Sequence, residues 1–217
     1  MTEDIGLFEA IYTMRAIRRQ RPDLPVSDAD VRAIIEAGTQ APSGGNNQSW
    51  RFIVVRDQAI KDELGRLYRD SVTKVLVAPD VSGTKAEWYL GEHLAESPVI
   101  IMVYAIPGTD HQGNPRPLSE GAAGRQVVPA VQNMLLACRG LGLGSNFTSA
   151  IGAYHGDDIK ALLGVPDEAI FIVMLPIGYP QGKHGPKTRQ PVEEVTFANR
   201  WGQPIQFDGG LVAGGGA

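Results

Sequence analysis

The sequence predicts a mixed α+β domain, because short apolar strands are separated by helices without strict βαβ alternation. Strands are expected at Trp50–Val55, at Val99–Ala105 and at residues 169–175. The second of them is apolar at every position and is predicted to be buried on both faces of a sheet. No internal repeat is present, so the 217 residues are expected to form one domain, with residues 182–217 as an extended C-terminal arm.

Helices are predicted between and beside these strands. Ser27 and Asp30 form a near capping box, with aspartate where glutamate is usual, for a helix that runs to about Gly38. Its core-facing side chains are Val31, Ile34 and Ile35. The other helices are expected at residues 6–14, 57–73, 85–94, 125–139 and 157–163. The glycine-rich residues 141–149 are expected to become a strand near their end.

The predicted helix at residues 125–139 has an unusually wide apolar surface. No residue between Arg125 and Arg139 is charged, and Pro129 is placed near the start of the helix, where a missing backbone donor is tolerated best. A helix that is apolar around most of its circumference is buried in a core or at a subunit interface. The sequence leaves both positions open.

Composition narrows the class of protein. The net charge of −4 argues against a general nucleic-acid or anionic-membrane binder, which needs a basic surface. One cysteine, Cys138, allows neither an intrachain disulfide nor a cysteine metal cage. The first residues lack the apolar core of a signal peptide, and the apolar runs are too short to span a bilayer. A cytoplasmic protein is therefore expected.

Several common catalytic devices are missing from the sequence. The histidines His93, His111, His155 and His184 are scattered without ligand spacing, so no metal site is expected. Neither a G-x-x-x-x-G-K-[ST] phosphate loop nor a G-x-S-x-G nucleophile elbow occurs. Residues 140–144 read Gly-Leu-Gly-Leu-Gly, but they follow a helix and put Ser145 where a dinucleotide fingerprint needs its third glycine. These absences favour a reaction that a bound cofactor carries.

Two features suggest what that cofactor contains. Basic clusters lie at both ends of the chain, namely Arg15, Arg18 and Arg19 and, far from them, Lys187 and Arg189. Such side chains suit a phosphate, although two solvated surface patches are the alternative. The loop at residues 42–48 supplies glycines, amides and a serine, which let backbone approach a ligand and offer donors and acceptors to a flavin edge. An ordinary helix-to-strand loop is the alternative there.

Five segments, taken in order, resemble motifs of the FMN-dependent nitroreductase family. The most specific runs from Pro42 to Trp50 and is similar to the family's P-S-x-x-N-x-Q-x-W loop, which enters a strand. The others are the Arg15-Ala-Ile-Arg18 opening, the helix and turn at residues 129–144, the segment 175–180, and the closing Lys187-Thr-Arg189-Gln-Pro191. The resemblance extends from about Ile11 to Trp201 and so covers nearly the whole chain.

This resemblance implies an α+β sandwich with a central, mostly antiparallel sheet flanked by helices, in a domain-intertwined homodimer. The helix at residues 125–139 is then expected at the interface, and the C-terminal arm is expected to reach over the partner. Each FMN would lie at the interface and be contacted by both subunits, with the basic clusters on its phosphate. Backbone amides around Thr148 and Ser149 would lie near the reactive flavin nitrogen. The implied cofactor-binding residues are Arg15, Ala16, Arg18, Arg19, Pro42, Ser43, Gly44, Asn46, Gln48, Thr148, Ser149, Lys187 and Arg189.

Two positions depart from the family pattern. Met14 replaces the first arginine of the usual pair, and Ala16 replaces the polar residue after it. The phosphate site is therefore expected to depend more on Arg19, Lys187 and Arg189. A flavin-cleaving branch of the family carries aspartate at the position of Ala16, which counts against that activity here.

The implied reaction is ping-pong, with no side chain acting as acid or base. NAD(P)H reduces FMN and leaves, and a nitroaromatic, a quinone or a related small acceptor then takes the reducing equivalents. The acceptor pocket is expected in residues 78–90 and 107–121, where Trp88 and Tyr89 would stack on a planar molecule or simply anchor a loop.

Two alternative functions stay open. A flavin protein without turnover, used for storage or sensing, would need the same FMN site. A reductive dehalogenase branch of the family needs an acidic residue, a tyrosine and a lysine in its lid, and Glu87, Tyr89 and Lys85 lie in the corresponding region.

Overall fold

The computed structural model describes residues 5–76, 85–109, 112, 114, 118–182, 184–185 and 187–207. The chain divides into two units, residues 1–186 and residues 187–217. The expected pocket segments are covered in part, because residues 77–84 and most of residues 110–117 lie outside the described residues.

The first unit is built on a sheet of four strands, β1 (Trp50–Val55), β2 (Val99–Ala105), β3 (Gly144–Ser145) and β4 (Ile170–Gly178). Their order is β1-β2-β4-β3, and every neighbouring pair is antiparallel. All residues of β2 are buried, as its continuous apolar sequence predicted. The expected mixed α+β class with an antiparallel sheet is confirmed.

Helices cover both faces of this sheet. They are α1 (Leu7–Thr13), α2 (Asp28–Thr39), α3 (Gln58–Leu76), α4 (Lys85–His93), α5 (Glu120–Gly140) and α6 (Ala150–Leu163). Successive side chains of β2 enter opposite cores, since strand residues alternate between faces. Ile101 and Val103 pack with residues of α2 and α5, whereas Ile100, Met102 and Tyr104 pack with residues of α3, α4 and α6. The result is a three-layer sandwich with two cores.

The predicted cap of α2 is present. The Ser27 hydroxyl accepts a hydrogen bond from the Asp30 backbone N–H at 3.0 Å and donates one to the Asp30 carboxylate at 2.7 Å. In the usual capping box the glutamate side chain accepts from the backbone N–H of the cap residue. The shorter aspartate here accepts from the capping hydroxyl instead.

Helix α5 begins at Glu120 rather than at Arg125, because Ser119 caps it by accepting from the Ala122 N–H at 3.3 Å. Pro129 therefore lies inside the helix and not near its start. The apolar surface is explained by the chain's own core, since Val127, Val131 and Met134 are fully buried there, together with Cys138. Val128 remains 40% exposed, and Leu135, Leu136 and Ala137 are half-buried, so the helix also keeps apolar surface outside the core.

Two other boundaries differ from the sequence prediction. Strand β4 continues through Pro176, which was expected to end it; the Pro176 carbonyl accepts a hydrogen bond from Gln20 Nε2 at 2.9 Å. Helix α6 begins at Ala150 rather than at residue 157, and it is kinked at His155, where φ is −135°. A two-part helix with glycines on either side of the kink has no single apolar period, so only its second half was recognised.

A hydrogen bond between His155 and Asp70 joins helices α3 and α6 at this kink. His155 Nε2 lies 2.6 Å from the Asp70 carboxylate, and His155 Nδ1 lies 2.7 Å from that of Asp158. Lys74 and His155 together hold the pKa of Asp70 below its usual value through hydrogen bonds. Within the described part of the chain, no helix is long and apolar enough to cross a bilayer.

Two glycines of α6 differ in how closely a neighbouring side chain packs against them. A Cβ at Gly152 would lie 2.2 Å from the Phe171 ring, whereas a Cβ at Gly156 has no neighbour within 4 Å. Gly152→Ala is expected to lower the free energy of unfolding by about 1–3 kcal/mol through overpacking. Gly156→Ala is expected to leave it unchanged or to raise it by up to about 1 kcal/mol. Denaturant titration of both variants measures this difference, and equal values would contradict the packing described.

Candidate functional site

The candidate site is organised by residues 15–21, which follow α1 and lie beside the short strand β3. The Ile17 N–H donates to the Ser145 carbonyl at 2.8 Å, and Ala16 forms a parallel bridge with Ser145. The Gln20 side chain, which is buried, donates from Nε2 to the Gly144 carbonyl at 3.3 Å. This segment therefore extends the sheet beyond β3 and is held by both backbone and side-chain bonds.

Close approach of the two segments requires a glycine in β3. A Cβ at Gly144 would lie 2.6 Å from the Cβ of Ile17, a distance that real side chains do not tolerate. Any larger residue would push residues 15–21 away from the sheet. Gly144, the last glycine of the 140–144 run, thus serves close backbone approach.

A cavity of about 640 Å³ opens beside this junction. This volume lies within the usual range of small-molecule sites. Its charged and polar lining comes from separate parts of the chain, namely Arg15 after α1, Arg139 at the end of α5, Ser145 in β3, and His184 after β4. Two guanidinium groups and no carboxylate line it among the described residues, which makes the cavity suited to an anion.

Two polar atoms in the wall of this cavity have no hydrogen-bond partner among the described residues. They are Arg15 Nε and Ser145 Oγ, and both are buried. The Arg15 guanidinium is held in place, because its Nη1 donates to the Gly185 carbonyl at 2.7 Å. Leaving a buried donor unpaired costs about 1–3 kcal/mol, so such atoms in a cavity wall indicate a place for a polar ligand.

The other predicted basic residues have three different surroundings. Arg18 does not line the large cavity in the described part of the chain; it lines a separate space of about 10 Å³. The Arg19 guanidinium lies over the Tyr89 ring, 4.7 Å from its centroid. Lys187 and Arg189 belong to the second unit, where both are exposed and Arg189 donates to the Thr188 carbonyl at 3.3 Å.

The predicted flavin loop, residues 42–48, is almost wholly exposed. Its backbone has positive φ at Gly45 (60°), Asn46 (54°) and Gln48 (47°), a conformation that glycine and asparagine adopt most readily. The Ser43 hydroxyl stabilises the turn by accepting from the Gln48 N–H at 3.2 Å. Among the described residues, Pro42, Ser43, Gly44, Asn46 and Gln48 do not line the 640 Å³ cavity.

Thr148 and Ser149 lie just before α6. The backbone of Thr148 is paired with Met174, its N–H donating to the Met174 carbonyl at 3.2 Å. Its hydroxyl lies 3.0 Å from the Tyr68 hydroxyl, in a buried position. Ser149 is exposed and is the N-cap residue of α6. The Thr148 amide predicted to face a ligand is thus already paired within the chain, and Ser149 is the more accessible of the two.

Trp88 and Tyr89 on α4 have different surroundings. Trp88 is 40% exposed. Tyr89 is engaged, with Arg19 over its ring and the His93 ring stacked on it at 4.2 Å between centroids. The side chains of Lys85 and Glu87, which a dehalogenase lid would need, lie outside the described residues.

Sequence reasoning missed Arg139, Ser145 and His184 as lining residues of one cavity. Arg139 was recognised only as the end of a helix, and Ser145 only as the residue that spoils a dinucleotide motif. A serine that directly follows Gly-Leu-Gly at a strand start was the one available signal.

Two titratable side chains in the cores are shielded from solvent. Burial raises the pKa of the Cys138 thiol to about 12 and that of the Tyr104 hydroxyl to about 12, so both stay protonated at neutral pH. No group of His, Cys, Asp and Glu side chains in the described ranges could hold a metal ion. The arrangement can bind an anion but offers no activated nucleophile of its own.

Comparison with known proteins identifies the family. A family model described as "Nitroreductase family" matches residues 11–179. The chain is 29% identical to an NADH dehydrogenase of Thermus thermophilus over 87% of this chain and 93% of that protein. It is 30% identical to the 5,6-dimethylbenzimidazole synthase of Rhodospirillum rubrum over 82% and 84% of the two chains.

A solved structure of an iodotyrosine deiodinase bound to FMN and 3-iodo-L-tyrosine has a similar fold. Its TM-score is 0.69 at 25% identity, with 90% of this chain and 99% of the other covered. The sandwich, the antiparallel sheet and the matched segment from residue 11 to residue 179 agree with the resemblance seen in the sequence. This chain belongs to the nitroreductase family.

Proposed function

We propose that this protein is an FMN-dependent oxidoreductase that transfers hydride from NAD(P)H through FMN to a nitroaromatic, a quinone or a related small acceptor. The observation that carries the proposal is the 640 Å³ cavity whose wall contains two buried, unpartnered polar atoms, Arg15 Nε and Ser145 Oγ. Both can donate a hydrogen bond, which is what the phosphate or the ribityl chain of FMN requires.

The charges in the cavity also fit this cofactor. Arg15 and Arg139 supply permanent positive charge, and Arg139 is oriented by donating from Nε to the Thr13 hydroxyl at 2.8 Å. A phosphate dianion is stabilised by such charge-assisted hydrogen bonds. The family resemblance implies that Lys187 and Arg189 also bind the phosphate.

The flavin ring would be held by the loop at residues 42–48, which is not among the described residues that line this cavity. The loop at residues 42–48 is exposed and preformed, with its turn fixed by Ser43. In a homodimer such a loop can reach the cavity of the partner, which explains why it lies open in a single chain. Ser149 would then offer its backbone near the reactive flavin nitrogen.

FMN, when bound, supplies the hydride-transfer chemistry that no side chain of this chain provides. The residues of the chain bind and orient it, and the buried Cys138 and Tyr104 keep their protons. Ala16 presents only a methyl group beside β3, which disfavours the flavin-cleaving reaction that the family resemblance associates with aspartate there.

The activity is tested on the purified protein by its visible spectrum and by NAD(P)H oxidation. We expect a flavin spectrum that is lost with release of FMN, and steady oxidation of NADH or NADPH in the presence of a quinone or a nitroaromatic. A protein that binds FMN but oxidises neither nucleotide with any acceptor would instead be a storage or sensing protein. Turnover with a halogenated tyrosine, but with neither of the other acceptor classes, would move it to the dehalogenase branch.

The phosphate assignment predicts a strong preference for FMN over riboflavin. Arg189→Ala and Arg15→Ala are each expected to weaken FMN binding by about 1.5–3 kcal/mol, because each removes a charge-assisted hydrogen bond to the phosphate. Riboflavin binding should change little in both variants. Fluorescence titration of the apoprotein measures both affinities, and Arg32→Ala, which changes an exposed arginine of α2 that pairs with Glu36, is the matched control. Equal affinity for FMN and riboflavin in the parent protein would rule out the assignment.

The homodimer is proposed from exposed apolar side chains. These are Leu7, Phe8, Ile11 and Tyr12 on α1, which are 66%, 58%, 43% and 52% exposed, and Val128 on α5. Clustered exposed apolar residues of this kind mark association surfaces.

Val128→Asp is therefore expected to dissociate the dimer without unfolding the chain, since the side chain is exposed in the single chain. Val131→Asp places the charge in the chain's own core and should unfold it, at a cost of several kcal/mol. Ala59→Asp, at an exposed position of α3, should do neither. Light scattering and circular dichroism separate the three results. A folded Val128→Asp dimer would place the interface elsewhere.

A further inference from the structure

Four side chains link the basic segment to helix α4. The Arg19 guanidinium carbon lies 4.7 Å from the Tyr89 ring centroid, the Tyr89 and His93 rings stack at 4.2 Å with an angle of 21°, and His93 Nδ1 lies 2.8 Å from the Glu96 carboxylate. A cation, two aromatic rings and an anion thus follow one another. We call this group the Arg19–Glu96 stack.

We infer that this stack positions helix α4, so that Arg19 and Tyr89 set acceptor binding by holding α4 in place rather than by touching FMN or the acceptor. The inference rests on the proposed function, because acceptor binding has meaning only if the protein turns over. It reassigns two residues that the sequence placed on ligands, Arg19 on the phosphate and Tyr89 on the acceptor.

The position of Arg19 supports the first reassignment. Its backbone is fixed by two main-chain hydrogen bonds. The Arg19 carbonyl accepts from the Gln181 N–H at 3.0 Å, and the backbone N–H of Arg21 donates to the Tyr179 carbonyl at 2.8 Å. Arg15 lines the 640 Å³ cavity, whereas Arg19 is not among the described residues that line it. The Arg19 side chain instead contacts the Tyr89 ring, whose electron-rich face attracts a cation.

The surroundings of Tyr89 support the second reassignment. The space that Tyr89 lines is only about 10 Å³ and is shared with Arg18, Gln20, His93, Glu96 and Ser97. Such a volume holds about one water molecule at most and cannot admit an aromatic acceptor. Of the two adjacent aromatic residues on α4, Trp88 is the more exposed, at 40%, whereas Tyr89 is half-buried. A planar acceptor is therefore expected to meet Trp88 and not Tyr89.

Helix α4 is attached from two sides. Leu90 is buried in the core with α3, and a Cβ at Gly91 would lie 3.4 Å from Val72 of α3, so this face is closely packed. The Arg19–Glu96 stack provides the attachment to the basic segment. Loss of the stack would leave α4 attached on one side only, and Trp88, which directly precedes Tyr89 on this helix, would be displaced with it.

The test compares variants that break or keep the stack. Arg19→Met and Tyr89→Leu are expected to raise the acceptor KM about 3- to 10-fold, with kcat at saturating acceptor and the Kd for FMN within about 2-fold of the parent protein. The double variant should be no worse than either single one, because both remove the same attachment. Arg19→Lys, which keeps the cation, should restore most of the acceptor affinity.

Hydrogen exchange of residues 85–93 gives a second readout that needs neither FMN nor turnover. In the apoprotein, Arg19→Met and Tyr89→Leu should speed exchange in this segment about 10-fold, whereas Tyr89→Phe, which keeps the ring, should retain protection. Arg15→Met is the matched control, since it should weaken FMN binding and leave exchange in α4 unchanged.

Three results would overturn the inference. They are an FMN Kd that rises in Arg19→Met as it does in Arg15→Met, exchange in α4 that is unchanged in Arg19→Met and Tyr89→Leu, and loss of turnover in Tyr89→Phe while α4 remains protected. The last would assign the Tyr89 hydroxyl to the acceptor. If the protein instead binds no FMN or oxidises no nucleotide, the proposed function fails, and the exchange measurement still decides whether the stack holds α4.

Discussion

The docking of residues 15–21 against β3 is the contact on which the candidate site depends, since it brings the start of the chain to the far edge of the sheet. Gly144 makes the approach possible, and Gln20 bridges two parts of the sheet with one amide group. Arg15 reaches the cavity because this contact is in place. The cation that a phosphate would meet is therefore positioned by main-chain bonds and a buried amide rather than by a network of salt bridges.

The two cores give this docking a rigid base. Strand β2 is buried on both faces and pairs with β4 along its whole length and with β1 from Ile100 to Ala105. Helix α5 passes over one face and carries Arg139 in its last turn, so the cavity lies where this helix, the short β3 strand and the basic segment meet. The same helix buries part of its apolar surface within its own chain, while Val128 and the apolar residues of α1 stay exposed.

Local signals in the sequence sufficed for much of the fold. Strands β1 and β2 and the capped helix α2 were predicted correctly, because alternation, continuous burial and a serine cap act within a few residues. The continuation of β4 through Pro176 and the early start of α6 depend on partners distant in sequence, such as Gln20 and Phe171. The family motifs predicted Arg15 as a site residue. They could not show that Arg19 turns toward Tyr89, because a cation–π contact between residues so far apart leaves no periodic trace.

The state of Cys138 has a practical consequence for spectroscopy. The chain has one cysteine, it is 1% exposed, and its thiol stays protonated at neutral pH. A second cysteine introduced at an exposed position, for example in place of Asn47 in the flavin loop, would be the single thiol that a maleimide reaches in the folded protein. A spin label or a dye attached there would mark one point on each chain without removal of the native Cys138. The distance between two such labels would give the geometry of an assembled pair directly.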